Sequence, residues 1–166
     1  MDQEILIRNA GPADLPAIHL LAHQVWPVTY GALLAPEQLE YMLELIYNPA
    51  ALEKQMQAGQ HFLIAERAAA AVGFASFAAT AQPQVYKLQK LYVTVAVQGQ
   101  GLGKQLIEAV IQRVQPLGAT HIRLNVNRQN KAISFYESYG FQIVSEEDID
   151  IGQGYFMNDF VMEKDV

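Results

Sequence analysis

The chain has 166 residues, 51% of them apolar, a mean hydropathy of +0.06 and a formal net charge of −6. That length suits one domain with one sizeable core, and the composition excludes a disordered chain and speaks against a general nucleic-acid binder. No apolar run approaches the ~18 residues of a membrane-spanning helix, the start MDQEILIRNAG is acidic where a secretory leader is basic, and the absence of cysteine removes disulfides, thiolate metal sites and Cys nucleophiles. A cytoplasmic protein is the expectation.

ILIR (residues 5–8) reads as a short strand. The helix after it has Pro12 near its start and Leu15, Ile18, Ala22 and Val25 on one face. PEQLEYMLELIYN is a second helix with Leu39, Met42, Leu43 and Ile46 inward, interrupted at Asn48-Pro49, and a further helical stretch covers residues 51–57. HFLIAE and AVGFASFAA form a hairpin across a turn at 67–70, and VYKLQKLYV is the next strand. An amphipathic helix over 101–114 buries Leu102, Leu106, Val110 and Ile111 and closes at Pro116-Leu117-Gly118. HIRLNVN alternates, with Ile122, Leu124 and Val126 on one face and His121, Arg123, Asn125 and Asn127 on the other. Residues 130–139 form a short helix ended by Gly140, and FQIVSEEDID and YFMNDFVMEK are a final strand pair. Strand-helix-strand crossovers among hairpins predict an α/β domain with a mixed sheet.

Charge is unevenly placed. Lys87, Lys90, Lys104, Arg113, Arg123, Arg128 and Lys131 fall between residues 84 and 131 against the single acid Glu108, so a basic middle sits within an acidic chain. That distribution suggests an anionic ligand at the centre.

The stretch VTVAVQGQGLGKQL (93–106) places Gly99, Gly101 and Gly103 between a strand and a helix. A P-loop ending at Gly103-Lys104 fails twice, because Gln98 stands where its first glycine belongs and Gln105 where Ser or Thr belongs. A dinucleotide fingerprint from Gly99 would need glycine at Lys104, and this turn follows the fourth strand rather than the first. The physics of the turn survives both failures: small residues let the main chain approach a ligand, and the free amides of a helix start favour a phosphate or pyrophosphate. Lys104 adds a positive charge.

Gln98-Gly99-Gln100-Gly101-Leu102-Gly103 resembles the Q/R-x-x-G-x-G/A acetyl-CoA signature of the GCN5-related N-acetyltransferases. The likeness extends upstream through Leu91, Tyr92 and Val93, and downstream NKAISFYESYGF resembles the family's N-x-x-A-x-x-x-Y-x-x-x-G-F. VWPVTYGALLAPEQLEYML and DIGQGYFMNDFVMEK are similar to a bacterial subgroup that includes diamine and polyamine acetyltransferases. The resemblance implies one domain over 1–166, with a mixed, mostly antiparallel sheet splayed at strands 4 and 5 and flanked by about four helices. It implies acetyl-CoA as co-substrate, no metal, and direct transfer to a primary amine in a ternary complex.

Residue by residue, the resemblance assigns the coenzyme A pyrophosphate to the turn of Gln98, Gly99, Gln100, Gly101, Leu102, Gly103 and Lys104. The pantetheine arm would run beside Leu91, Tyr92 and Val93, and the Val93 N–H would donate to the acetyl oxygen as charge develops on it. Tyr136 would meet the cofactor and protonate the departing thiolate. The chain departs from the pattern at Asn130, which lies two residues before Ala132 rather than three, with Gln129 at the usual place; either could contact the pantetheine arm. Many relatives carry a glutamate base on the fourth strand, where this chain offers Lys87, Gln89 and Lys90. Glu37, Glu40 and Asp159 are the acids left for the amine. With Glu44, Glu37 and Glu40 share a helix face that would favour a diamine or polyamine if it borders the acceptor. His19 and His23, one turn apart, suit a metal on spacing alone and have no third ligand in view.

The expected partner is thus a small amine, neither nucleic acid nor a membrane, and a homodimer is compatible with the sequence. Two further readings stay open at this point: a protein N-terminal or lysine acetyltransferase, and a non-catalytic module that binds acyl-CoA.

Overall fold

The computed structural model describes residues 4–166; Met1, Asp2 and Gln3, which open the acidic start, lie outside the described residues. The predicted strands are all present, as β1 (Ile5–Ala10), β2 (His61–Arg67), β3 (Ala70–Ala79), β4 (Val85–Val93), β5 (His121–Asn127), β6 (Gln142–Gly152) and β7 (Tyr155–Asp165). They form one seven-stranded sheet in the order β1-β2-β3-β4-β5-β7-β6. Every neighbouring pair is antiparallel except β4 and β5, joined by a helical crossover.

Helices α1 (Leu15–Tyr30), α2 (Pro36–Tyr47), α3 (Pro49–Gln57), α4 (Leu102–Val114) and α5 (Ala132–Tyr139) make five where about four were expected. The further helical stretch expected over 51–57 is α3, separated from α2 at Asn48, whose extended backbone ends α2 and whose side chain accepts from the Ala51 N–H to start α3, with Pro49 at its first position. Helix α1 also runs on through Pro27 to Tyr30, which sets the Tyr30 ring 4.6 Å from Trp26 one turn back. Among the described residues no helix is long and apolar enough to cross a membrane.

Apolar side chains gather in two clusters. One holds Leu102, Leu106 and Val110 of α4 with Ile122, Leu124 and Val126 of β5 and Tyr136 and Phe141. The other holds Ile18 and Trp26 of α1, Met42 and Tyr47 of α2, Leu52 of α3 and Phe74 of β3. Burying such side chains on both faces is the main favourable term in the fold.

Two irregularities in the middle of the sheet shape its two faces. The β4–β5 ladder pairs Val85 to Leu88 with His121 to Leu124 and then stops, so the strands splay beyond it. In the β3–β4 ladder Ser76 faces Lys90 and Phe77 faces Leu88, which leaves Gln89 as an extra, bulged residue. The basic middle disperses. Arg123 pairs with Glu163 at 2.9 Å, Arg128 binds Glu146 and Asp148 of β6, and Arg113 donates to Asn9. Lys87 and Lys90 line a cavity on one face of the sheet, whereas Lys104, at the glycine turn, borders a separate depression with Glu108 and Arg113.

Candidate active site

Gly99 and Gly101 both adopt φ of +80°, a left-handed conformation that disfavours residues with a Cβ by roughly 1–2 kcal/mol. Gly101 caps α4, whose first bond runs from the Gln105 N–H to the Gly101 carbonyl at 3.1 Å. No backbone N–H of residues 99–104 donates to another protein atom among the described residues. Those amides, the helix dipole behind them and exposed Lys104 form a cradle for an anion. A Cβ on Gly103 would lie 3.4 Å from the Phe135 ring, close to ordinary contact distance, so the start of α4 packs directly against α5. That contact brings Tyr136, on α5, toward the turn.

The splay supplies a free donor. The Thr94 N–H bonds the Val72 carbonyl of β3 at 2.9 Å. Main-chain groups alternate sides along a strand, so the Tyr92 N–H also faces β3, while those of Leu91 and Val93 face the gap toward β5. The Val93 carbonyl on that side accepts from Gln98 Nε2 at 3.1 Å, tying the strand end to the turn.

Tyr136 is 8% exposed and packs edge-on against Phe141 with ring centroids 5.6 Å apart. Burial, with Tyr30 nearby, raises its phenol well above the ordinary tyrosine value, so the proton stays on oxygen until a strong base arrives. Its hydroxyl makes no hydrogen bond among the described residues. Tyr30 and Tyr92 place their hydroxyls 3.1 Å apart. Burial raises the Tyr30 phenol, the Tyr92 and Asn130 side chains counter that, and the Asp159 carboxylate adds to it. Asn130 Oδ1 accepts from the Ala132 N–H at the start of α5, whereas Gln129 is exposed.

A cavity of about 340 Å³ opens on the α1–α2 side of the splay. Trp26 and Tyr30 of α1 and Gln38, Met42 and Ile46 of α2 form one wall. Asn125 and Asn127 of β5, Phe156, Met157 and Asp159 of β7 form another. Gln38 Nε2 donates to the Phe156 carbonyl at 3.1 Å and the Tyr41 hydroxyl to the Ile151 carbonyl at 2.7 Å, so α2 is fastened to the last hairpin. The floor is β4. Its bulge changes the side-chain parity, so Lys87 and Gln89 and then Lys90 and Tyr92 face the cavity, while Tyr86, Leu88, Leu91 and Val93 pack toward α4. Asp159 is 2% exposed, accepts weakly from Asn125 Nδ2 at 3.3 Å, and is pushed above the usual carboxylate value by burial.

Residues 32–156 match the family model described as the acetyltransferase (GNAT) domain. The chain belongs to the GNAT acetyltransferase family. It is therefore an acyltransferase with acetyl-CoA as co-substrate. Among solved structures, it is similar to PaiA N-acetyltransferase from Thermoplasma acidophilum in complex with coenzyme A, with 27% identity, a TM-score of 0.83, and 98% and 99% of the two chains covered. A GCN5-related N-acetyltransferase from Rhodopseudomonas palustris shares the fold at a TM-score of 0.83 and 20% identity, with 100% and 99% covered. Peptidyl-lysine N-acetyltransferase YjaB of Salmonella typhimurium is 33% identical over 70 residues, which span 41% of this chain and 45% of that protein.

Within this GNAT domain the residues expected from the motifs come together: Val93, the 98–104 turn, Asn130 and Tyr136 all lie around the splay. Asp159 joins them from β7, opposite Asn127. Glu37 and Glu40 do not; with Glu44 they are exposed on α2, and that helix lines the cavity through Gln38, Met42 and Ile46 instead. His19 Nδ1 donates to the Tyr47 carbonyl at 2.7 Å and His23 Nδ1 to the His19 carbonyl at 2.8 Å, which gives both rings structural partners. Sequence reasoning missed Tyr30, Tyr47 and Trp26 as cavity residues. Their signal, aromatics at helical spacing on an apolar face, is also that of ordinary core.

Proposed function

We propose that the protein transfers the acetyl group of acetyl-CoA to a small primary amine by direct attack in a ternary complex. The observation that carries this is the convergence at the splay. The free Val93 N–H faces the gap between the anion cradle on one side and the cavity on the other. In this reading the amides of residues 99–104 and Lys104 hold the pyrophosphate, and Leu91, Tyr92 and Asn130, or Gln129, bind the pantetheine arm. Asp159 takes the proton from the bound ammonium, directly or through a water; its raised affinity for protons suits a base. The Val93 N–H donates to the acetyl oxygen as the amine attacks. Tyr136 gives its hydroxyl proton to the departing sulfur and is reprotonated by the second proton that leaves the acylated nitrogen, so the phenol ends protonated as its high proton affinity requires. No nucleophilic side chain takes part, so no acetyl-enzyme forms.

The test is free-thiol release from acetyl-CoA with a panel of amines, with both substrates varied. Intersecting initial-velocity lines support a ternary complex, and parallel lines refute it. The likeness to YjaB favours a second reading, a lysine side chain as acceptor. Lysine peptides in the same panel decide between the two.

A further inference from the structure

Lys90 is a buried charged group in the cavity to which acetyl transfer gives no role. It is 7% exposed, and its Nζ donates to Gln55 Oε1 at 2.7 Å and Gln60 Oε1 at 3.1 Å. The rings of Tyr47 and Phe62 lie beneath it at 5.7 and 5.4 Å. Gln55 is itself fixed, because its Nε2 donates to the Ile46 carbonyl at 2.8 Å, so its oxygen is held toward the ammonium. Among the described residues no carboxylate pairs with Lys90. A buried ammonium ordinarily has an anionic partner, because removing such a charge from water costs several kcal/mol. Here two neutral amide oxygens are its acceptors, and a third N–H is left over. Burial lowers its pKa to about 8, and Lys87 alongside adds to that.

The remaining cavity groups point the same way. Lys87 is a second cation, and Trp26 Nε1 is a buried donor with no partner among the described residues. Among the described residues Asp159 is the single carboxylate in the lining. Two cations and an unpaired donor thus share the cavity with one acid, and Lys87 lies close enough to act on both Lys90 and Asp159.

Building on the acetyl-transfer reading, we infer that Lys90, with Lys87 beside it, is an anion subsite for a carboxylate of the acceptor, which is therefore an amino acid rather than a diamine. The acceptor's ammonium end meets Asp159 and its carboxylate end meets Lys90. One buried ammonium balances the single charge of a carboxylate better than a phosphate dianion. A diamine would set its second ammonium against two lysines, a repulsion of about 1–4 kcal/mol at 4 Å depending on the local dielectric. The cavity is of small-molecule size, and Met42, Ile46 and Phe156 offer apolar surface to the acceptor's side chain.

The experiment compares kcat/KM for the twenty amino acids with their decarboxylated amines, their carboxamides and 1,4-diaminobutane, in wild type, Lys90→Met and Lys90→Gln. Wild type should prefer the best amino acid at least tenfold over its matched amine and amide, and that ratio should fall to within about threefold in both variants. Acetyl-CoA affinity by calorimetry reports that each variant has folded, and the second variant covers failure of the first. A preferred diamine or decarboxylated amine overturns the inference, as does a ratio unchanged by both variants. If nothing is acetylated although acetyl-CoA binds, the transfer reading fails on its own. Calorimetric titration of free amino acids into the coenzyme A-loaded protein then decides the subsite: binding lost in the Lys90 variants supports it, and no binding to wild type overturns it.

Discussion

The two sides of the splayed sheet hold their ligands by different physics. On the α4 side, the candidate cofactor cradle is main chain: amides of residues 99–104 and of Val93, supplied by one continuous stretch. On the α1–α2 side, the cavity is side chain: an ammonium, a carboxylate, phenols and amides drawn from three helices and from β4, β5, β6 and β7. A main-chain site needs only glycines and a helix start, so it tolerates changes to other side chains and fails when its backbone conformation is lost or a like charge enters it. A side-chain site fails when a functional group is removed, even if the backbone stays in place.

The strongest challenge to that contrast is Gly101→Asp. It puts a β-carbon on a left-handed residue and a carboxylate where the pyrophosphate binds. Acetyl-CoA affinity should fall by about 100-fold or more in calorimetry, while Gly101→Asn, which tolerates the same backbone, should lose far less. Equal losses in the two would mean that strain, not charge, governs the cradle.

Removing only functional groups tests the other half of the contrast. Tyr136→Phe keeps the packing against Phe141 and should lower kcat roughly 100-fold with little change in acetyl-CoA affinity. Asp159→Asn should lower kcat/KM by a similar factor. It should also abolish the acid limb of the pH profile, which burial places above the ordinary carboxylate value. Persistence of that limb in the variant would assign the base elsewhere.

A smaller effect is written into stability. Lys90 has an ordinary pKa of 10.5 when unfolded and about 8 when folded. Below pH 8 both states are protonated and the fold carries the full cost of the buried charge. Between pH 8 and 10.5 the unfolded chain binds a proton that the fold has released, so stability rises with pH. Against Lys90→Met, the unfolding free energy of wild type should gain roughly 2–3 kcal/mol across that window, read from paired denaturant titrations. Comparing the two proteins cancels the other titrating groups.

The least effect is expected at Glu40→Gln. Its carboxylate is exposed and outside the cavity, so kcat/KM should stay within about twofold at low and high salt. A marked salt-dependent loss for a diamine would restore the acidic face of α2 as a steering surface.

The same division between main chain and side chain separates what the sequence determined from what the fold decided. Local pattern was enough for the strands, because period-two alternation in HIRLNVN and the apolar runs of β2 and β3 answer to burial on a sheet. It was enough for the turn too, since Gly99, Gly101 and the start of α4 are neighbours in the chain and their free amides result from that adjacency. Tyr136 was legible only through its motif. What packing across the sheet decided lay beyond local pattern. Tyr30 enters the cavity because α1 continues past Pro27, where its hydroxyl meets that of Tyr92 on β4 at 3.1 Å. Lys90 faces the cavity because a bulge at Gln89 shifts the side-chain alternation, which a strict period of two conceals. Arg123 and Arg128 are neutralised by acids of β6 and β7 that pairing alone brings near. Backbone chemistry is set by residues next to one another and can be read from them. A cavity's charge depends on which distant side chains share its walls, and only the folded sheet brings those together.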